Sequence, residues 1–188
     1  LRFKDQPDAE VEVFFPNQLG NLQGSGSGNF LMGMTPTTPF TLSGIFTVTK
    51  GYFLFQLKNY LRLPMSLKEG GTISWTGDPV NATISMSAVY KTKVLLKGVV
   101  PPGSEHENIR VPVESVIRLN GKLMNPEISF GLNLPNVDEN IKSEVFATID
   151  TNNMTTMAEQ TFYLMMMEQF KPVINTSLAS MDMRGTAF

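Results

Sequence analysis

The chain contains no cysteine. That excludes disulfides, thiol nucleophiles and thiolate metal sites. It contains one histidine, His106, set between Glu105 and Glu107. Neighbours in sequence do not converge on one point without a special fold, so this trio does not read as a metal site. Charged residues make up 17% of the 188 residues, below the usual quarter. The net charge is -2, so bulk charge gives no attraction for nucleic acid. No apolar run approaches the roughly 18 residues of a membrane-spanning helix. A signal-peptide pattern and an initiator Met are also missing. The chain therefore reads as a fragment excised from a longer protein, with targeting signals outside it.

What remains is strand periodicity. Between Gly70 and Tyr90, Ile73 and Trp75 alternate with Thr72, Ser74 and Thr76. A turn follows at Gly77-Asp78-Pro79. Val80, Ala82, Ile84, Met86, Ala88 and Tyr90 then alternate with Asn81, Thr83, Ser85 and Ser87. Period-2 alternation of this length marks a sheet with one apolar and one polar face. A near-copy follows at Leu119–Leu134, where Ile128, Phe130, Leu132 and Leu134 alternate with Ser129, Gly131 and Asn133.

The rest of the chain extends the theme. Residues 1–8 read as loose and polar. Ala9–Phe15 is a strand. Residues 16–29, with Gly20, Gly24, Gly26 and Gly28, read as a flexible loop; no helix or Lys-Ser/Thr follows to make a phosphate cradle. Phe30–Met34 is a short strand. Phe40–Thr49 places Phe40, Leu42, Phe46 and Val48 on one face, and Gly44 suggests a bulge. Lys50-Gly51 reads as a hairpin turn before Tyr52–Leu57. Leu61–Leu67 contains Pro64, which places that strand at an edge or a bulge. Lys91, Lys93 and Lys97 form a charged face, solvated or set against anionic lipid. Ile109–Leu119 is a further strand, with Val111, Val113, Ile117 and Leu119 on one face. Pro135–Asn153 is polar and acidic and reads as a linker. Its carboxylates lack the pocket and spacing that acid–base work needs. Thr156 and Glu159 match a capping box, so Met157–Phe170 is a helix, ended by Pro172. Its apolar residues run most of the way round, as on a buried, capping or docking helix.

The expected organisation is a curled sheet domain over residues 1–154, one apolar helix over 155–171 and a tail over 172–188. The fold class is all-β, antiparallel or mixed, with one C-terminal α-helix. The apolar face gathers Phe40, Leu42, Phe46, Val48, Leu63, Met65, Ile73, Trp75, Ile84, Met86, Val113, Ile117, Leu119, Ile128, Phe130 and Leu132. An area of that size needs a cover. A closed barrel, a dry sandwich or an open trough would each supply one, and periodicity does not choose among them.

The order of motifs resembles the C-terminal domain of the TamB family, the translocation and assembly module. LSGIFTVTKGYFLFQL, LPMSLKEGGTISWTGDP, ATISMSAVY, IRLNGKLMNPEISFGLNLP and EQTFYLMMMEQF occur in sequence over roughly residues 30 to 170. The richness in Met and Asn looks like a Bacteroidetes-type member. The resemblance implies a β-taco fold whose hydrophobic groove is lined by the face residues above. It implies a periplasmic location, at the outer-membrane end of an inner-membrane-anchored protein. It implies phospholipid acyl chains as cargo and an outer-membrane barrel partner of the Omp85 type (TamA-like). The alternative role is a protein-assembly module that pairs an edge strand, at Leu61–Leu67 or Ala9–Phe15, with a client. A closed, lipocalin-like carrier is a third reading. No catalytic residue, metal, cofactor or nucleic-acid partner is expected, and the chain does not read as an enzyme.

Overall fold

The computed structural model describes residues 2–16, 19–57 and 61–173. Among these, eight strands precede two helices: β1 (Arg2–Phe15), β2 (Gly20–Thr35), β3 (Thr38–Leu57), β4 (Leu61–Leu67), β5 (Thr72–Gly77), β6 (Thr83–Leu95), β7 (Arg110–Lys122), β8 (Asn125–Asn133), α1 (Glu139–Thr148) and α2 (Met154–Met167). The sheet order is β1-β2-β3-β4-β6-β7-β8, with β5 between β3 and β6. The pairings β1–β2, β2–β3, β3–β4, β3–β5, β4–β6, β5–β6 and β7–β8 are antiparallel. The fold is thus all-β and antiparallel, with helices at its C-terminal side.

β4 and β5 act as one bulged strand. Both run antiparallel to β3, β4 against Tyr52–Leu57 and β5 against Leu42–Thr47. Lys68–Gly71 loops out between them and stays tied to its neighbours. The Gly70 amide donates to the Val48 carbonyl at 2.9 Å, and the Lys68 amide donates to the Ser87 carbonyl at 2.8 Å. Such a bulge bends its strand and increases the local twist. Pro64 lies where β4 pairs only with β3, since the β4–β6 ladder covers just Ser66 and Leu67. Its missing N–H therefore meets a local edge, although β4 as a whole is an interior strand.

β3 corrects another expectation. Lys50-Gly51 is no hairpin turn; the strand runs through it for 20 residues. The pairing jumps from Gly26↔Val48 to Ser25↔Lys50, which leaves Thr49 as an extra residue. One extra residue flips the face of everything beyond it. Phe46 and Val48 are buried before the bulge, and Phe53 and Phe55 after it. That change of phase is what makes one strand read as two.

The glycine-rich stretch is a strand, not a loop. In β2, Leu22, Gly24, Gly26 and Gly28 occupy the buried face. A Cβ at Gly26 would lie 2.0 Å from the Thr47 carbonyl oxygen and 3.0 Å from the Phe46 ring. A Cβ at Gly24 would meet Val48 at 3.4 Å and Leu67 at 3.5 Å. Large side chains from β3 and β4 use the space that these glycines leave. The signal was a period-2 glycine pattern, Gly24, Gly26, Gly28. β1 likewise begins at Arg2, within the segment expected to be loose.

The chain divides into two compact units. The first comprises Leu1–Lys91 and Glu114–Asn133, and its described regular elements are strands and a short 3-10 turn at Pro79–Asn81. Leu22, Phe46, Phe53, Met65, Ile73 and Ile117 are completely buried in it. Each such side chain contributes about 1.5–3 kcal/mol over its exposed state. These side chains form the core of the unit. Phe15 and Phe53 meet edge-on at 5.8 Å, reaching over β2 between them.

The second unit comprises Thr92–Val113 and the chain from Leu134. α1 occupies the stretch expected to be a linker. Asp138 caps it, accepting from the Asn140 amide at 2.8 Å. Val145 and Ile149, four apart, are buried. Ile141, Val145 and Ile149 were the missed signal, concealed by the acidic residues around them. α2 starts one turn before the expected capping box. Asn153, not Thr156, supplies the cap, accepting from the Thr156 amide at 3.0 Å. The helix ends at Met167, with Glu168 left-handed (φ 50°) as its C-cap, ahead of Pro172. No described helix is long and apolar enough to cross a membrane. The expected tail over 172–188 lies outside the described residues from 174 onward.

Candidate functional site

In the first unit the apolar face is closed along most of its length and open at one end. The closed part includes Phe46, Val48, Met65, Ile73, Ile84 and Met86. The open end is the β2–β3 hairpin, turned at Pro36-Thr37. β1 reaches only Leu31 along β2, and β5 reaches only Leu42 along β3. Beyond those points two strands stand without outer neighbours in the described sheet. Met34 is 78% exposed, Phe40 43% and Met32 36%. Leu42 and Trp75 are half-buried.

A glycine organises the junction between the two parts. Gly44 pairs with Phe30 on one side and Trp75 on the other. Its φ is 149°, and a Cβ there would lie 2.0 Å from the Asn29 carbonyl oxygen. No side chain can be added, so the flanking rings close over the gap. Phe30 and Trp75 meet at 5.8 Å with planes 68° apart. Aromatic cover of this kind pins the register around a strand glycine.

The sixteen residues expected to line the face divide by exposure. Phe40 is exposed; Leu42, Leu63, Trp75, Ile128 and Phe130 are half-buried. Phe46, Val48, Met65, Ile73, Ile84, Met86, Ile117, Leu119 and Leu132 are closed off in the first unit, and Val113 in the second. The β7–β8 register brings Ile117 opposite Phe130 and Leu119 opposite Ile128. Phe30, Met32 and Met34 belong to the same face but were not assigned to it. With residues 16–29 read as a loop, Phe30–Met34 is too short a strand to show its face.

The two similar hairpins share a detail. Gly77 (φ 136°) and Gly121 (φ 87°) take the same place in each copy, and both need the left-handed region that favours glycine. Val80 differs from its expected place. Asp78 accepts from the Val80 amide at 3.0 Å and turns the chain through Pro79–Asn81, leaving Val80 exposed and outside β6.

Polar groups are arranged for anchoring. Lys91 pairs with Glu114 at 3.5 Å, while Lys93 and Lys97 are solvated. In the second unit, His106 Nδ1 lies 2.8 Å from Glu144 of α1, and Glu105 lies 3.8 Å from the other ring nitrogen. Ser104 donates to the Glu144 carboxylate at 3.2 Å. The hydrogen bond to Glu144 raises the His106 pKa above 6.5, against a lowering by burial. The loop is thereby tied to α1. Among the described residues no group of three or more His, Asp or Glu side chains could hold a metal ion.

The TamB C-terminal domain model matches residues 1–176. No curated protein and no solved structure matches the chain. The family match spans every strand and both helices, so the chain belongs to the TamB family through its C-terminal domain and is a cell-envelope protein of TamB-type outer-membrane assembly.

Proposed function

We propose that this domain carries phospholipid acyl chains along the apolar face of its sheet toward the outer membrane. The single observation behind the reading is the continuity of that face. It runs from the half-buried Trp75 and Leu42 to Phe40, Met32 and Met34 at the hairpin without a charged side chain in its register. An acyl chain gains about 0.8 kcal/mol per CH₂ removed from water, or on the order of 12 kcal/mol for roughly 16 carbons. A closed pocket of that strength would not release its cargo. On a continuous face each step replaces one apolar contact with a like one, so binding stays strong while the barrier to sliding stays low. The headgroup remains in water, and the transfer needs no catalytic group. A periplasmic position, with an Omp85-type barrel as acceptor, fits such a carrier.

Photo-crosslinkers at Phe40, Met34 and Trp75 test this reading, with Thr41 and Thr47 of the polar face as controls. Phospholipid capture at the first set and not the second is expected. Equal capture at both would sink the idea.

A second reading has its own observation. β1 is an edge strand, and among the described residues its outer ladder is unpaired. An extended client segment could add there by strand pairing. Prolines at β1 positions whose N–H points away from β2 would block such pairing and leave lipid capture intact.

A further inference from the structure

β1 ends the described sheet, and its outer side presents unpaired N–H and C=O groups. That edge is regular from Ala9 to Phe15, where β1 pairs residue for residue with β2, from Ala9↔Gly26 to Phe15↔Gly20. Before Ala9 the register shifts on both sides of Gln6, and Pro7 has no N–H to offer. The accepting stretch is therefore Ala9–Phe15, roughly 23 Å long at about 3.3 Å per residue.

The two faces of this stretch differ. Val13 and Phe15 are buried and Val11 is half-buried, while Glu10, Glu12 and Phe14 are exposed on the opposite face. Phe14 is 67% exposed, the most exposed aromatic ring among the described residues. Glu114, Glu139, Glu144 and Glu159 each reach a cationic or histidine side chain. Glu10 and Glu12 form no ion pair among the described residues. β2 sets only Ser25 and Gln23 opposite them, and Asn21 donates to Glu12 at a long 3.5 Å. No charged residue occurs between Glu12 and Lys50 in the sequence. The register puts Lys50 two strands from Glu10, across Ser25, roughly 10 Å away. Exposed charges at that distance are about a Debye length apart and strongly screened. The side left for a complementary charge is the outer one, where a neighbouring strand brings its side chains to within about 5 Å. A second copy does not supply it: antiparallel self-pairing about Glu10, Val11 or Glu12 sets carboxylate against carboxylate.

We infer that β1 accepts, antiparallel, an extended segment of another protein in which Lys or Arg alternates with apolar residues. The inference rests on the strand-pairing reading above and names its partner. Basic side chains stand opposite Glu10 and Glu12, and an aromatic one stands opposite Phe14. The intervening apolar residues lie beside Val11, Val13 and Phe15 and extend the buried face. Main-chain bonds along the edge supply affinity, and the alternating side chains supply selectivity.

The probe is the peptide Val-Tyr-Val-Lys-Val-Lys-Val, whose residues in order oppose Phe15 back to Ala9. Amide hydrogen exchange of the whole chain, followed by NMR, should slow at alternate β1 positions between Ala9 and Phe15 when it binds. It should bind about tenfold more tightly than Val-Tyr-Val-Glu-Val-Glu-Val. Glu10→Gln with Glu12→Gln should level the two peptides, and Glu10→Lys with Glu12→Lys should reverse their order. Both residues are exposed, and an unchanged melting temperature reports an intact fold. Equal protection by the two peptides in the unmodified chain would overturn the basic partner and leave the strand-pairing reading standing. Protection by neither would remove both. Protection of β1 that grows with protein concentration in the absence of peptide would place a second copy there and overturn the inference.

Discussion

Phe46 and Phe40 lie six residues apart on one face of one strand. Phe46 has no exposed surface, and Phe40 keeps 43% of its own. Side-chain chemistry does not distinguish them; their neighbours do. Phe46 is flanked by Gly28 on β2 and Ile73 on β5, whereas Phe40 stands beyond the last β5 pair. An apolar face is core where the sheet curls over it and a candidate site where the flanking strands stop. The alternating face is therefore not exposed as a whole.

The largest expected effect breaks the closed part. Phe46→Ala removes a buried ring and should cost about 3–5 kcal/mol by urea unfolding. Phe40→Ala should stay within about 0.5–1 kcal/mol. Similar losses at the two positions would mean that the open end is closed in solution. Next in size is Gly26→Val, which places a side chain against Thr47 and Phe46 and should cost about 1–3 kcal/mol by overpacking. A neutral result would show that β2 moves away from β3. Smaller in stability but larger in function, Phe40→Ala combined with Met34→Ala should leave the melting temperature nearly unchanged while lowering lipid capture at Trp75. Unchanged capture would place the cargo elsewhere.

The smallest effect lies in the second unit and serves as a control. His106 has a raised pKa, chiefly through its hydrogen bond to Glu144. Its contribution is fully present below the unfolded value of 6.5 and fades as pH rises through the higher folded value. The melting temperature should fall slightly over that interval, and His106→Gln should flatten the slope. The difference between Phe46→Ala and Phe40→Ala should not change with pH. A slope that survives in His106→Gln would assign the titration to another group.

Some of this was legible locally. The alternation of Ile84, Met86 and Ala88 against Thr83, Ser85 and Ser87 gave β6 and its buried face directly. Glu139–Thr148 was not legible as α1, because charged residues concealed three apolar positions spaced by four. The open end was half legible: alternation put Phe40, Leu42 and Trp75 on one face, whereas Phe30–Met34 read as a strand too short to show which face Phe30, Met32 and Met34 share. Propensity treats glycine as a breaker, but a glycine can sit in a strand when a neighbour's ring needs its space.

The sequence by itself determined an antiparallel, one-sided sheet, since period-2 alternation follows from the geometry of a single strand. It also determined the TamB family, since five motifs stand in order along the chain. Only the tertiary structure decided that Gly24 and Gly26 form a seat for Phe46, Val48 and Leu67. Only it decided that Thr49 shifts the phase of β3 and that the face opens at Phe40. Register, bulges and cover are set by residues far away in the chain, so no local window contains them.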